Sequence, residues 1–467
     1  MRYDAVVVGS GPNGLAAAIT LAEAGRSVVV LEAAVRPGGG LRTEELLEPG
    51  FRHDVCSTIM ALPPLVDLFG PMALDLVTPP APLAHPFDDG SALVVERSVG
   101  RTASRLGGDG RAYRRLVGPL AERIHELLPM VMGPPRPPRH PLLLARFGMP
   151  GLLSALALAG AFFQEREARA LLAGAAAHSL LALDEAGTGA MGLLMLASAH
   201  AGGWPVARGG SATVADAMVR RLREVHGEVE CGRRVTKLED LPDHRVVLLD
   251  LVPKGVLELS TGRFPRRYRD ALEAYRHGPG AFKLDWTLDG PIPWRAGECT
   301  RAATVHLGGT AEEIAESELQ VASGSHAARP FVLLTQPTLF DSSRAPDAKH
   351  VAWAYCHVPN GSDVDMTAAI ERQVERFAPG FRELVRRRSA WSPLRIEAEE
   401  PNCVGGDLMG GRMDLRGLLA RPVLSLDPYA TPDPEIFICS AATPPGGGVH
   451  GMCGVNAARS ALRSRLR

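Results

Sequence analysis

The sequence is notable first for what it lacks. Its seven cysteines (Cys56, Cys231, Cys299, Cys356, Cys403, Cys439 and Cys453) are odd in number and contain no C-x-x-C pair. That argues against a disulfide framework, a zinc site and a dithiol redox centre, and leaves reduced, buried thiols as the expectation. Neither charge dominates: 51 basic and 52 acidic residues give a net charge of −1, so no field favours nucleic acid or anionic lipid. Lysine is nearly absent, with only Lys237, Lys254, Lys283 and Lys349 among the basic residues. No metal-ligand spacing and no Ser-His-Asp arrangement stands out. Aromatics are sparse, with five tryptophans and six tyrosines. The opening "MRYDAVVVG" enters a strand at once, without a cleavable apolar leader, so a cytoplasmic protein is expected. The longest apolar region, 141–163, is broken by Arg146 and Pro150, which argues against a spanning helix. Its plain reading is a buried helix; a peripheral membrane contact and the mouth of an apolar tunnel are the alternatives.

What is present begins at residue 4. "DAVVVG" is a β-branched run of the kind buried on both faces of a parallel sheet. "GLAAAITLAEAG" is a helix stopping at Gly25, and "SVVVLE" is a second buried strand. Between the first strand and the helix, Gly9, Gly11 and Gly14 form G-x-G-x-x-G, with Pro12 and Asn13 inside it. The first glycine permits the tight turn, the second lets backbone approach a pyrophosphate, and the third lets helix pack on sheet. Glu32, followed by Ala33, ends the second strand where a carboxylate accepts hydrogen bonds from ribose hydroxyls. Dinucleotide binding follows from this whole unit rather than from the glycines alone. No second G-x-G-x-x-G occurs, so one dinucleotide is expected.

Helical periodicity dominates from about 61 to 200, and a loop, helix and strand at 201–255 resume the α/β core. Strand-like runs over 256–400 ("FKLDWTL", "RPFVLLTQPTLF", "HVAWAYCHVP") suit an antiparallel sheet. Loops and one last buried strand, "EIFICSA", fill 401–467. The organisation expected is a discontinuous Rossmann-type α/β domain from 1–60, 201–255 and 401–467. An inserted α+β substrate domain is built from 61–200 and 256–400. Trp353 and Tyr355 lie two apart on one strand and so face the same way; core packing is their default. His178 and His200, in apolar helical stretches, read as satisfied core histidines.

A nicotinamide domain would continue after Glu32 with an ordinary helix; here "VRPGGGLRTEELLEPGFRHD" follows instead. Its R-P-G-G-G-L-R-T and G-F-R-H-D segments resemble the second FAD motif of the amine oxidase and phytoene desaturase superfamily. Arg36, Gly38, Gly39, Thr43 and Asp54 match, Gly40 replaces the usual arginine, and Cys56 replaces a glycine; Leu41 lies within the motif. Arg42 is the candidate to take over the phosphate contact. Near the C-terminus, "SAATPPGGGVHGMCG" resembles the family's flavin-contact loop without a gap. Ala441, Thr443, Pro445, Gly446, Gly448, Gly451 and Gly454 are identical, whereas Pro444 and His450 differ. The resemblance implies that Ser440, Gly446, Gly447, Gly448 and Val449 approach the flavin ring by backbone and that Val235 lies on the adenine side. It is closest to the phytoene-dehydrogenase-like branch that includes the pyridine nucleotide-disulfide oxidoreductase domain proteins.

The function implied is an FAD-dependent oxidoreductase, of dehydrogenase or desaturase type, with non-covalent FAD and no metal. It would act on a C–H bond of an apolar or amphipathic small molecule, with the cofactor carrying the chemistry. His450 is the one acid–base candidate, beside a plainer structural role. Alternatives are a flavin amine oxidase using O₂, a saturase, and a non-catalytic lipid- or prenyl-binding escort-like protein. The sequence assigns no oligomeric state.

Overall fold

A computed structural model describes residues 2–467. Two sheets organise it. The first has five parallel strands, in the order Ile436–Ile438, His244–Leu249, β1 (Tyr3–Val8), β2 (Val28–Leu31) and Glu228–Glu230. Three distant stretches of chain therefore meet in one sheet. Their apolar runs are continuous because both faces are covered. Ala5 and Val7 face a cluster that includes helix α1 (Pro12–Glu23), while Val6 and Val8 face Val256, Leu259 and Phe264.

The C-terminal helix Met452–Ser464 crosses α1 on small residues. A Cβ at Gly454 would overlap the Asn13 carbonyl oxygen, and one at Gly451 would come within 2.8 Å of the Ala16 Cβ. Small side chains thus set the close approach that carries the end of the chain to the first glycine turn.

The second sheet has seven strands: Val385–Trp391, Gly280–Leu288, His350–Val358, Val332–Thr335, Ala302–Leu307, Ala81–Pro86 and Ala92–Val95. All neighbours are antiparallel except the pair Ala302–Leu307 and Ala81–Pro86. The last two strands come from the stretch that reads as helical. "APLAHP" carries prolines and alanines rather than β-branched residues, and the sheet recruits it through pairing and burial. One face of this sheet packs on helix Thr367–Phe377. The other faces a layer that includes helices Gly110–Glu122, Arg166–Ala176 and Thr188–Gly202.

The apolar region 141–163 is not one buried helix. It forms two helices, Pro141–Gly151 and Ala155–Phe162, bent 103° apart. Pro150 and Gly151 close the first, and the Ser154 hydroxyl caps the second by accepting from Ala157 N. Among the described residues, no single helix is long and apolar enough to cross a membrane.

Candidate cofactor and substrate site

The glycine turn at the end of β1 is tight enough to demand its sequence. Gly9 has φ +99°, and a Cβ on Gly14 would overlap the Gly9 carbonyl oxygen. Beneath the turn lies Asp250, the residue after strand His244–Leu249; its Oδ2 accepts from Gly14 N at 2.9 Å. A Cβ on Gly11 would stand 2.8 Å from that oxygen. Burial, with Glu32 and Glu400 nearby, raises Asp250 from the ordinary 3.8 to about 7, despite the stabilising Gly14 N–H. A neutral carboxyl here lessens repulsion of an anionic ligand at the helix N-terminus.

Glu32 reaches back across the turn. Its Oε2 accepts from Ser10 N (2.8 Å) and Ser10 Oγ (2.6 Å), and its Oε1 from Ala34 N (2.8 Å). In the loop beyond it, Arg42 donates to Glu400 Oε1 at 2.7 Å and to Gly39 O at 3.1 Å. Thr43 has a supporting position: it donates to Asp54 Oδ1, which also accepts from Ser211 N and Oγ, while Arg344 pairs with Asp54 Oδ2. Leu41 is core, and a Cβ on Gly38 would press on Ala215.

The C-terminal loop follows strand Ile436–Ile438. Ser440 Oγ donates to Leu251 O at 2.7 Å, and Tyr429 OH holds Pro444 O at 2.9 Å. Gly447 lies so close to the segment 408–410 that its Cβ would stand 2.6 Å from the Met409 Cα. His450 is buried, its Nδ1 accepts from Met452 N at 3.0 Å, and burial pushes it down to about 4. Above that pH it is a neutral ring that caps the helix. Behind the loop sits Arg421, 1% exposed, donating to Met409 O (3.0 Å) and Tyr275 OH (3.3 Å). It has no carboxylate partner among the described residues, and its Nε is unpaired.

One continuous cavity of about 950 Å³ joins these parts. Gly9, Gly11, Pro12, Asn13, Glu32, Ala33, Gly39, Gly40, Arg42 and Val235 line one limb, and Gly447, Gly448, Val449 and His450 line the centre. Gly14, Gly38, Leu41, Thr43, Ser440 and Gly446 do not line it; they support the residues that do. The side-chain oxygen of Asn13, buried at this wall, has no partner among the described residues. The donor-rich turn, that unpaired amide and glycines whose Cβ atoms would fill the cradle suit a flavin or nucleotide cofactor.

Past the loop the cavity widens into an apolar chamber walled by Met130, Met191, Met195, Leu194, Phe147 and Trp204. Trp353 and Tyr355, packed against core as expected, also line it as a stacked pair, with centroids 5.7 Å apart and planes at 16°. Trp353 is oriented by its Nε1 donating to Thr58 Oγ1 (2.6 Å), which in turn donates to Asp54. His200 is satisfied by Tyr113 OH and Arg97 O. His178 lines the chamber, its Nε2 lies 3.2 Å from His306 Nε2, and burial lowers it to about 3.

Asp250, Arg421 and the methionines are absent from the motif reading. The only advance signal for Asp250 is a lone aspartate directly after a buried strand. Arg421 carried none, because its isolation from carboxylates exists only in three dimensions.

Residues 7–70 match the family described as NAD(P)-binding Rossmann-like domain. The chain is 29% identical over 388 residues to phytoene dehydrogenase of Streptomyces griseus, covering 76% of this chain and 73% of that protein. It is 22% identical over 564 residues to pyridine nucleotide-disulfide oxidoreductase domain-containing protein 2 of Rattus norvegicus, covering 99% and 94%. Among solved structures, putrescine oxidase bound to putrescine superposes with a TM-score of 0.62 at 18% identity, over 99% of each chain. The chain thus carries a Rossmann-like nucleotide-binding unit, is similar over most of its length to phytoene dehydrogenase and a related oxidoreductase, and shares its fold with putrescine oxidase.

Proposed function

We propose that the chain binds FAD without a covalent link and dehydrogenates an apolar or amphipathic small molecule held in the chamber. The observation that carries this reading is the continuity of the cavity from Glu32 through the C-terminal loop to the methionine-lined chamber. Glu32 would accept from the adenosine ribose, with Val235 beside the adenine. The Gly9–Gly14 turn and the N-terminus of α1 would meet the diphosphate. The backbone of 447–449 would face the ring. When bound, the flavin supplies the hydride acceptor.

The protein's part is to hold the substrate, exclude water and set the charge around the ring. Met130, Met191, Met195 and Leu194 offer a deformable apolar wall. The N-terminus of helix Met452–Ser464 and the cation of Arg421 favour negative charge at the loop. An amine substrate is less supported: Asp407, a carboxylate at the cavity wall, is already engaged by Gly278 N and Met409 N.

The test is the spectrum of the pure protein and its anaerobic response to candidate substrates. A flavin band, released to the supernatant on heat precipitation, and bleaching by long-chain unsaturated or isoprenoid compounds support the reading. A colourless protein that refuses added FAD would discard it in favour of a binding protein. Bleaching by amines alone would move it to the amine oxidases.

A further inference from the structure

We propose, resting on the chamber as the substrate site, that its sheet-side wall recognises a neutral oxygen on an otherwise apolar substrate. The oxygen is a hydroxyl or a carbonyl, and Thr304, Tyr355 and His178 bind it.

The chamber has two unlike walls. Met130, Met191, Met195, Leu194 and Phe147 come from the helical layer and offer no polar hydrogen. The opposite wall is one face of the seven-stranded sheet, where side chains two apart point the same way. Thr304 and His306 share this face on strand Ala302–Leu307, as do Trp353, Tyr355 and His357 on His350–Val358. Pairing sets His306 opposite Leu333, and Leu333 opposite Tyr355. Neighbouring strands about 4.8 Å apart place His306 and Tyr355 about 10 Å from each other, with Leu333 between them. His178 reaches this row from the helical layer. It lies on the turn Ala177–Ser179 that ends helix Arg166–Ala176, with its Nε2 3.2 Å from His306 Nε2.

Much of the polar capacity of this face is already used. Thr335 Oγ1 donates to Ala303 O, Trp353 Nε1 donates to Thr58 Oγ1, and His357 Nδ1 lies 2.7 Å from Glu318 Oε2. Thr304 Oγ1, Tyr355 OH and His178 Nδ1 have no hydrogen-bond partner among the described residues, and they stay open to the chamber that their side chains line. Beside them Ser179, 3% exposed and also on the wall, has an unpaired Oγ. Unmet polar atoms in an apolar cavity are costly, and a ligand oxygen that supplies the missing bonds recovers that cost and fixes its own orientation.

The histidine pair suits either kind of oxygen. Burial holds His178 neutral, and two facing nitrogens of neutral imidazoles are one N–H and one lone pair. When His178 Nε2 holds the shared proton, Nδ1 is a lone pair that accepts from a hydroxyl. When His306 holds it, Nδ1 carries a proton for a carbonyl.

Charge excludes a carboxylate. Arg36, Arg42, Arg233 and Arg234 belong to the limb around Glu32 and Val235, and Arg136 stands near Tyr429. Lys283, beneath Trp353, is held by Asp285 and by the Asp54 carbonyl. A carboxylate at the sheet wall would be buried with no free cation to meet it, whereas a neutral oxygen needs only hydrogen bonds.

The experiment titrates the full-length protein with decanol, decane and decanoate, read by the emission of Trp204 and Trp353 on the chamber wall. Tyr355→Phe and Thr304→Val each remove a hydroxyl that holds nothing else in the protein, so the melting temperature should stay or rise. Each should weaken decanol by about three- to tenfold and leave decane within about twofold. His178→Phe should weaken decanol likewise; because it also strands His306 Nε2, the two hydroxyl variants carry the decision. Decanoate should bind more weakly than decanol. Unchanged decanol affinity in both hydroxyl variants would overturn the proposal and leave the chamber reading standing, with the three groups serving water alone. Decanoate held more tightly than decanol would overturn it in favour of charge recognition. Leu194→Trp fills the apolar wall and should block decane and decanol alike. Binding that persists in that variant, or a parent that binds none of the three, would remove the chamber reading and the proposal with it.

Discussion

Replacing Asp250 by asparagine should make the protein more stable, and more so at high pH. Its carboxyl titrates near 7 in the folded chain against an ordinary 3.8, because burial and two neighbouring carboxylates oppose the charge. A raised carboxyl pKa means that ionisation works against the fold. The cost is absent below about pH 4, grows as the unfolded carboxyl ionises and the folded one does not, and levels off above about pH 7. At about 1.4 kcal/mol per pH unit it reaches about 4 kcal/mol at pH 8 and about 1.6 kcal/mol at pH 5. Asparagine keeps an oxygen to accept from Gly14 N and a donor in place of the carboxyl proton, and it never ionises. Unfolding entropy of about 2.1 cal/mol/K per residue gives about 1 kcal/mol/K for a chain this long. Asp250→Asn should therefore raise the melting temperature by about 4 °C at pH 8 and by under half of that at pH 5. The assay is thermal unfolding of cofactor-stripped protein across that pH range. An equal gain at both pH values, or none, would refute the reasoning, since it would show Asp250 charged without cost.

Three further outcomes follow from the same geometry. Glu32→Ala should weaken cofactor binding by about 2 kcal/mol, roughly thirtyfold, read as flavin retained after dialysis; full retention would place the ribose elsewhere. Arg421→Met removes a buried cation lacking a carboxylate partner. Its charge would support a reduced, anionic ring by on the order of 1–2 kcal/mol, so a redox titration should show a potential lower by tens of millivolts and Arg421→Lys should restore part of it. Gly454→Ala drives a Cβ into the Asn13 carbonyl and should cost about 1–3 kcal/mol or more by forcing the two helices apart, measured by denaturant unfolding; an unchanged midpoint would show that this crossing has slack.

The first βαβ unit was legible because its signals are local. Three β-branched residues in succession in each strand, a glycine turn and a carboxylate at the next strand end depend on near neighbours, and β1, α1 and β2 form from them. The C-terminal glycine loop was legible as a dense contiguous motif, whereas what demands its glycines is tertiary: Gly447 abuts the Met409 backbone, Gly451 the Leu68 and Ala16 side chains, and Gly454 the Asn13 carbonyl. What the sequence alone could not decide depends on partners distant along the chain. "APLAHP" becomes a strand because Ala302–Leu307 pairs with it, against its own weak propensity. Trp353 and Tyr355 are packed at the core and also wall the cavity, a second role that their period-two spacing could not show. The apolar stretch 141–163 bends into two helices and turns Leu142, Met149 and Leu152 outward, where its plain reading was one buried helix. Asp250 and Arg421 owe their electrostatics to which charges the fold brings near and which it keeps away. Local patterns determine where backbone can turn and pair; only the tertiary packing decides which side chains face water, one another or the cavity.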